Sequence, residues 1–412
     1  MKAFSVFGSG RRGDNKPADT VEAYFLRTAR RIRAAKLVLA AVIVIFSLFA
    51  FTVNRSQMTV SNLRYMLKYI DFISPASPVE NSEVYFDADD KAKLSLLRGN
   101  PVVLDGSGLS VYDRTGRVTL HENFAFSNPA IIAGEKYVYA YDLGGGTNTL
   151  KIFNSYAELY SCRYDNPVLG VSVNDDGDYC VITADKGYAS GVKVYDSDNR
   201  IIYSKQFGDV YTVAAALGKD AAYVLTATVT VDDGDYVCEL SRCDTTKEQV
   251  VNVMRYLGEL PLDVSYFDDG GFVFITDRAV RFFDADCSVV EERFFGSESA
   301  KRYFSDDEYA IITYATQIVG NSTRLSVLGS DGEEVFSEYY EGDVLGASVG
   351  GSDVLYVLTT GTLHSYSLRD GNSSAVSIDR ESAQLIVTDD YVAVGSEKGM
   401  TVIVSGGVLP GD

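Results

Sequence analysis

The sequence predicts an all-β fold, an eight-bladed β-propeller preceded by a single transmembrane α-helix and a short stalk helix. Three observations carry this prediction: an uncharged apolar run at residues 37–53, a strand-and-turn pattern that recurs beyond it, and a composition that suits strands. The 412 residues include 28 Tyr and 21 Phe, but only 8 Pro and no Trp. Aromatic side chains favour the half-buried surface of a pleated sheet, whereas Pro removes a hydrogen bond from its ladder. A seven-bladed ring is the alternative.

The apolar run reads LVLAAVIVIFSLFAFTV and contains no charge and no Pro. Together with Ala34 and Ala35 it approaches the ~20 residues that a helix needs to cross a bilayer. A cleaved signal peptide has a shorter apolar core and a small-residue cleavage site, which Thr52 to Arg55 do not provide. A buried core helix carries a polar face, and this run has none. We therefore predict an uncleaved membrane anchor.

Charge predicts the orientation of this anchor. Residues 1–36 carry nine Lys or Arg and three Asp or Glu, a net charge of +6. Because positive charge beside a span favours the cytoplasmic side, we predict a cell-membrane protein with a cytoplasmic N-terminus and an extracytoplasmic C-terminal domain. The tail either sets the topology only or also binds a cytosolic partner. The rest of the chain carries −26, the total of −20 less +6, and so acidic a surface argues against nucleic acid as a partner.

Beyond the span, residues 59–73 read TVSNLRYMLKYIDFI and place apolar side chains at helical spacing, which predicts the stalk helix. The SPASP segment at 74–78 ends it, because Pro cannot continue a helix. The predicted organisation is therefore a cytoplasmic basic tail at residues 1–36, the transmembrane helix at 37–53, the stalk helix and Pro linker at 54–79, and the propeller at 80–412.

A repeat fills the predicted propeller. Strand–turn–strand units recur near Tyr112, Phe153, Tyr195, Ser241, Phe283, Leu328, Tyr366 and Ile403, with successive spacings of 41, 42, 46, 42, 45, 38 and 37 residues. A period of ~40–50 residues is typical of a propeller blade of four strands. The last unit supplies only three strands, so we predict that the segment at 83–87 joins the last blade and closes the ring.

Motifs that carry chemistry are missing from the sequence. It contains only two His, and it lacks G-x-S-x-G, H-E-x-x-H and G-x-x-x-x-G-K patterns. A zinc site, a Ser-His-Asp triad and a tryptophan-lined quinone site are therefore disfavoured. We predict no catalytic, cofactor-binding or metal-binding residues and no cofactor.

Two turn motifs and the cysteines have structural interpretations. Asn174, Asp176 and Asp178 alternate as calcium ligands do, and so do Asp196 and Asp198, but the Gly and distal Glu of a calcium loop are not in register. The triplet at 144–146, GGG, suits a hairpin loop. The five cysteines lack metal-ligand spacing, and most of them are predicted to be small buried hydrophobes, with disulfides left open: Cys162, Cys180, Cys238, Cys243 and Cys287.

Three segments carry a family resemblance: SNLRYMLKYIDF after the span, SNPAIIAGEKYVYAYDLGG, and LDVSYFDDGGFVFITDRAVRFFDADC. They resemble an uncharacterised family of bacterial single-pass membrane proteins with an extracytoplasmic quinoprotein-like or WD40-like β-propeller. The resemblance implies the topology and the fold, and it supplies no activity or site residue.

These observations together predict a function without catalysis. A large repeated scaffold on a membrane stalk is typical of a binding or scaffolding module, here for an envelope protein or a cell-wall polymer. Two alternatives are a carboxylate-based extracellular hydrolase or lyase, and a ligand sensor that signals through the span.

Overall fold

The computed structural model describes Lys36 and residues 81–404, except residues 297–298, 316–321 and 352. The predicted transmembrane helix at 37–53 and the stalk at 54–79 lie outside the described residues, and so does the predicted tail apart from Lys36. No helix within the described part of the chain is long and apolar enough to cross a membrane.

Within the described residues, 32 strands form eight antiparallel sheets of four strands each. The first strand is β1 (Asn81–Tyr85). Blade 1 contains β2 (Lys93–Leu97), β3 (Asn100–Asp105), β4 (Gly108–Tyr112) and β5 (Val118–Asn123), and blade 2 contains β6 (Pro129–Ala133), β7 (Val138–Asp142), β8 (Thr149–Phe153) and β9 (Glu158–Arg163). Blade 3 contains β10 (Val168–Val173), β11 (Tyr179–Thr183), β12 (Ser190–Tyr195) and β13 (Ile201–Phe207), and blade 4 contains β14 (Tyr211–Leu217), β15 (Tyr223–Asp232), β16 (Asp235–Asp244) and β17 (Gln249–Leu257).

The remaining blades follow the same order. Blade 5 contains β18 (Pro261–Tyr266), β19 (Phe272–Thr276), β20 (Ala279–Phe283) and β21 (Val289–Phe294), and blade 6 contains β22 (Ser299–Ser305), β23 (Tyr309–Ala315), β24 (Ser322–Gly329) and β25 (Glu334–Glu341). Blade 7 contains β26 (Val344–Gly350), β27 (Val354–Thr359), β28 (Thr362–Ser367) and β29 (Ser373–Ser377), and blade 8 contains β30 (Gln384–Val387), β31 (Tyr391–Ser396) and β32 (Gly399–Val404) together with β1. The prediction of eight blades is confirmed, and the seven-bladed alternative is wrong.

Strand β1 closes the ring as the outermost strand of blade 8. It pairs antiparallel with β32, from Asn81 opposite Ile403 to Tyr85 opposite Gly399. The closing strand was predicted at 83–87 and is observed two residues earlier. Phe86 still donates its backbone N–H to the carbonyl of Lys398 at 3.1 Å, but this bond follows the turn that joins β31 to β32 and no longer belongs to a ladder.

A side-chain amide ties blade 8 to blade 1 on the inside of the ring. The Oε1 atom of Gln384 accepts the backbone N–H of Leu94 at 2.9 Å, and its Nε2 donates to the carbonyl of Ala92 at 2.9 Å. The guanidinium of Arg114 lies over the ring of Tyr391, 4.2 Å from its centroid, and joins the same two blades. The seam is thus held by polar contacts as well as by β1.

The antiparallel order gives the ring two distinct faces. The loops between consecutive blades and the turns between second and third strands lie on one face, which we call the inter-blade face. The turns between first and second strands, and between third and fourth strands, lie on the opposite face. Five innermost strands show a register shift near their starts, in β10, β14, β18, β22 and β26. Each bulge lies at the inter-blade end of its strand and changes the direction of the strand there.

The core lies between neighbouring blades. Middle strands are buried on both sides, as in β19, whose sequence FVFIT is buried at every position. Phe272 and Phe274 of blade 5 pack in one cluster with Leu225 and Leu240 of blade 4. Because a middle strand contacts a neighbouring blade on each side, its sequence is a continuous apolar run, whereas outer strands alternate.

Candidate functional site

The acidic turns use their own side chains to hold their backbone. Asn174 donates its Nδ2 to the carbonyls of Gly218 at 3.2 Å and Lys219 at 2.9 Å, and its Oδ1 accepts the N–H of Asp178 at 2.9 Å. Asp196 accepts backbone amides of its own turn in the same way. Across the residues that the structure describes, no group of three or more His, Cys, Asp or Glu is placed to hold a metal ion.

The glycine triplet forms a closed loop. Gly146 has a φ of 87°, and a Cβ at this position would collide with the carboxylate of Asp142. That carboxylate is fully buried and accepts the backbone N–H groups of Asn128 and Thr147, each at 2.8 Å. The loop amides thus bind a side chain of the protein.

The cysteines and histidines are dispersed through the ring. All five thiols are free. Cys180, Cys238 and Cys243 are buried, as predicted for most of the cysteines, whereas Cys162 and Cys287 are partly buried. Burial raises the pKa of the Cys180 thiol to about 12, so this thiol stays protonated and unreactive at neutral pH. His121 lies on blade 1 and His364 on blade 7, so the two cannot serve one site.

Carboxyl groups with a raised pKa lie at both ends of the innermost strands. Asp263 lies near the inter-blade end of β18, and burial raises its pKa to about 6. Asp307 lies in the turn after β22, on the opposite face. Its pKa is also raised to about 6, first by burial and then by the nearby carboxylates of Asp175 and Asp268.

The geometry does not combine these groups into a catalytic pair. The N–H of Asp268 donates to the carbonyl of Asp307 at 2.8 Å, so the two residues lie at one level. Asp263 precedes Asp268 by five residues along the same strand and turn, a rise of ~16 Å. Paired glycosidase carboxylates lie at most ~9.5 Å apart. The cavity beside Asp307 measures about 140 Å³, below the ~300 Å³ of ordinary ligand pockets.

A second cavity lies on the perimeter between blades 7 and 8. Its volume is about 380 Å³, and its lining includes Tyr85, Ile378 and Lys398. The ammonium of Lys398 is paired with Glu381 at 2.6 Å. Its lining is divided between blade 7 and blade 8, where it includes the closing strand β1, and its one ammonium is already neutralised. The cavity therefore offers little to fix a charged ligand.

A buried ion pair joins the inter-blade end of blade 5 to blade 4. The guanidinium of Arg281 is 2% exposed and donates two hydrogen bonds of 2.7 Å to the carboxylate of Glu259. It also donates Nε to Glu292 and lies 3.9 Å from the ring centroid of Tyr256 on blade 4. Burial alone would raise the pKa of Glu259, but the hydrogen bonds from Arg281 and Thr276 outweigh it and the pKa is lowered.

Beside this pair, the β15–β16 hairpin projects from the inter-blade face. Burial on β15 ends at Thr228, and the four residues from Val229 to Asp232 continue the ladder beyond the core. Four residues of strand span ~13 Å. Asp233 and Gly234 close the hairpin with φ values of 50° and 91°, as a two-residue turn of type I′ requires.

Register places apolar side chains of this hairpin toward blade 5. Tyr211, Val229, Cys238 and Tyr256 are consecutive cross-strand partners and share one face of blade 4. Cys238 and Tyr256 pack with blade 5, which identifies that face. Val231 and Tyr236 pair two residues farther out on the same face.

Blade 5 supplies the facing side chain. Phe294 pairs with Ala279, two residues from Arg281 on β20, so it points toward blade 4 as Arg281 does. Its ring centroid lies 5.7 Å from the Arg281 guanidinium carbon. The four outermost apolar side chains are more than half exposed: Tyr211 61%, Val231 61%, Tyr236 51% and Phe294 64%. We call these four residues the hairpin surface.

Sequence reasoning did not identify the hairpin surface. A signal is present, because the alternating apolar pattern of TATVTVDDGDYVCEL runs through an Asp-Gly turn without the usual break after five residues. Phe294 and Tyr236 point toward each other only because of the strand registers within blade 4 and within blade 5. Sequence patterns do not specify those registers.

Comparison with known proteins agrees with this architecture. Residues 78–404 match the model of a family described as a family of unknown function, DUF5711. No curated protein matches the sequence significantly. The C-terminal WD40 domain of Sif2 is similar in structure, with a TM-score of 0.54 at 12% identity over 79% of this chain and 99% of that chain. The Dos1 propeller gives 0.52 at 11% identity over 80% and 96%.

A third similar structure is the quinohemoprotein alcohol dehydrogenase ADHIIG from Pseudomonas putida HK5, with a TM-score of 0.51 at 9% identity over 81% of this chain and 77% of that chain. Identities this low show a shared fold and nothing about activity. The family match covers residues 78–404, the part of the chain that contains all eight blades. The chain therefore belongs to the DUF5711 family of unknown function, and its fold is an eight-bladed β-propeller of the WD40-like and quinoprotein-like kind.

Proposed function

We propose that this protein is a membrane-anchored, extracytoplasmic binding or scaffolding module for an envelope protein or a cell-wall polymer, without catalytic activity of its own. The hairpin surface carries the proposal. The surface of a soluble domain rarely exposes several large apolar side chains next to one another unless they form a binding site. Here the group lies on a projecting hairpin and on the blade beside it, with Arg281 and Tyr256 packed beneath.

The anchor and the orientation rest on the sequence of residues 37–53 and on its basic flank. Protease added to right-side-out membrane vesicles should digest the propeller and leave the basic tail protected. Digestion of the tail with protection of the propeller would refute the orientation.

The binding role is tested with the full-length protein in mild detergent, as bait against solubilised envelope proteins and against isolated cell wall. We expect stoichiometric recovery of one protein or of wall material at physiological salt. Recovery of neither would contradict the proposal, and the second candidate would then take its place.

That second candidate is a carboxylate-based hydrolase or lyase. It draws support from Asp263 and Asp307, whose raised pKa of about 6 suits a general acid. Their separation of ~16 Å along the strand axis and the small cavity beside Asp307 weigh against it. Turnover of a glycan by the wild-type protein, abolished in Asp307→Asn, would favour this candidate over the binding module.

A further inference from the structure

We propose that the hairpin surface is the docking site for a polypeptide segment that carries Lys or Arg beside bulky apolar residues. This inference rests on the proposed binding function and adds the surface and the chemistry of its partner. The partner is a protein, and the observations that favour it are the exposed apolar side chains on two facing blades, the acidic tip of the hairpin and the regular ladder that supports the hairpin.

The apolar part of the site spans two blades. Val231 and Tyr236 form a cross-strand pair on the projecting hairpin, and Tyr211 lies one row nearer the core on the same face. Rows on one face of a sheet lie ~7 Å apart. Phe294 faces them from blade 5, beside Arg281. A bulky side chain inserted between the blades would therefore contact aromatic rings from both.

The floor of the site is fixed before binding. Arg281 is held by Glu259 through two hydrogen bonds of 2.7 Å and stacks on Tyr256. The hairpin continues as a regular ladder to its two-residue turn. Because the backbone of both walls already forms regular strands, the cost of ordering backbone on docking falls on the partner segment.

Charge at the tip selects the sign of the partner. Asp232, Asp233 and Asp235 are exposed at the end of the hairpin, and they form no ion pair with the residues that the structure describes. Three adjacent carboxylates attract a cationic segment and repel anionic lipid headgroups and phosphates. A segment with Lys or Arg next to a bulky apolar residue can therefore pair with the carboxylates of the tip and pack against the aromatic walls within a few residues of chain.

The test uses full-length protein in detergent and a phage-displayed library of random 12-residue peptides as the probe. We expect selected peptides to combine Lys or Arg with Leu, Phe, Tyr or Trp, and their affinity to fall as salt is raised. Tyr236→Ser and Phe294→Ser should each weaken binding at least ~10-fold, as loss of an aromatic anchor does. The matched control is Tyr339→Ser, because Tyr339 is 56% exposed on the outer strand of blade 6.

A charge variant tests the other half of the proposal without altering the aromatic walls. The combined change Asp232→Asn, Asp233→Asn and Asp235→Asn keeps residues that tolerate the turn, since Asn adopts positive φ. The affinity of the selected peptides for this variant should be several-fold lower than for the wild-type protein at low salt, and equal to it at high salt. Selected peptides without basic residues, or an equal loss in Tyr339→Ser, would overturn the assignment.

Failure of this inference is distinguishable from failure of the proposed function. Capture of an envelope protein that Tyr236→Ser and Phe294→Ser leave intact would overturn the docking site but keep the binding role. Capture of wall polymer through the hairpin surface would overturn the polypeptide partner. If no peptide is selected and no envelope protein or wall material is captured, both the docking site and the proposed binding function are overturned.

Discussion

Removing the charge of Glu259 should strongly destabilise the propeller, because it leaves a buried guanidinium short of a counter-ion. Arg281 is 2% exposed, and both oxygens of Glu259 accept from it at 2.7 Å. Breaking a buried ion pair costs ~3–5 kcal/mol. Glu292 and the ring of Tyr256 still contact the guanidinium, so Glu259→Gln should lie near the low end, about 3 kcal/mol.

The loss is measured by urea unfolding of the full-length protein, followed by far-ultraviolet circular dichroism and Tyr fluorescence. With an unfolding entropy of ~2.1 cal/mol/K per residue over the ring, 3 kcal/mol corresponds to a fall in Tm of about 4 °C. Glu381→Gln is the matched control, because it removes an exposed carboxylate 2.6 Å from Lys398. Exposed pairs contribute ~0–1 kcal/mol.

A double variant separates the charge effect from a packing effect. Glu259→Leu with Arg281→Met removes both ions and retains most of the volume, so it should restore most of the stability that Glu259→Gln loses. The reasoning is refuted if Glu259→Gln unfolds at the same urea concentration as Glu381→Gln. In that event the guanidinium would be solvated, contrary to its burial.

Three further outcomes follow from single contacts. Asp263→Asn should add up to ~3 kcal/mol of stability at pH 8 and nothing near pH 3. Burial raises the folded-state pKa of Asp263 to about 6, so this carboxyl lowers stability progressively as the pH rises above its unfolded pKa of ~3.9, and in full above about 6. Equal gains at both pH values in urea titrations would contradict this. Gln384→Leu leaves the N–H of Leu94 and the carbonyl of Ala92 unpaired at the ring seam, so urea unfolding should show a loss of ~2–4 kcal/mol, and hydrogen exchange at Leu94 should accelerate. Gly234→Ala should cost ~1 kcal/mol by forcing a side chain into positive φ; an unchanged urea midpoint would argue against the two-residue turn.

A count of the repeats favoured eight blades and left seven as the alternative. Seven intervals of about 40 residues and a final unit one strand short require an N-terminal strand to complete the ring. The structure places that strand at Asn81–Tyr85 and pairs it with Gly399–Val404. The predicted boundary was displaced by two residues, because backbone hydrogen bonds to the β31–β32 turn continue past the end of β1. In the sequence, the residues that make them look like a continuation of the strand.

The candidate site was not predictable in the same way. No sequence pattern groups Glu259, Arg281 and Tyr256. Glu259 lies in a loop, and the other two residues lie on strands of different blades. Only the packing of blade 4 on blade 5 removes the guanidinium from water and aligns it with its partners. The acidic turns differ, because the sequence already favoured an ordinary turn over a calcium loop at Asn174. The structure adds that its side chain holds both its own turn and the neighbouring blade.

The sequence by itself determined the class of fold and the need for a closing strand and favoured eight blades over seven, because local strand propensity and a repeat period are properties of the chain alone. The structure decided the blade number. The sequence also predicts the membrane anchor at residues 37–53, which lies outside the described residues. The tertiary structure decided which side chains meet between blades 4 and 5 and which of them stay exposed. Those contacts depend on the register of separate sheets and on the angle between blades, and the packing of the closed ring sets both.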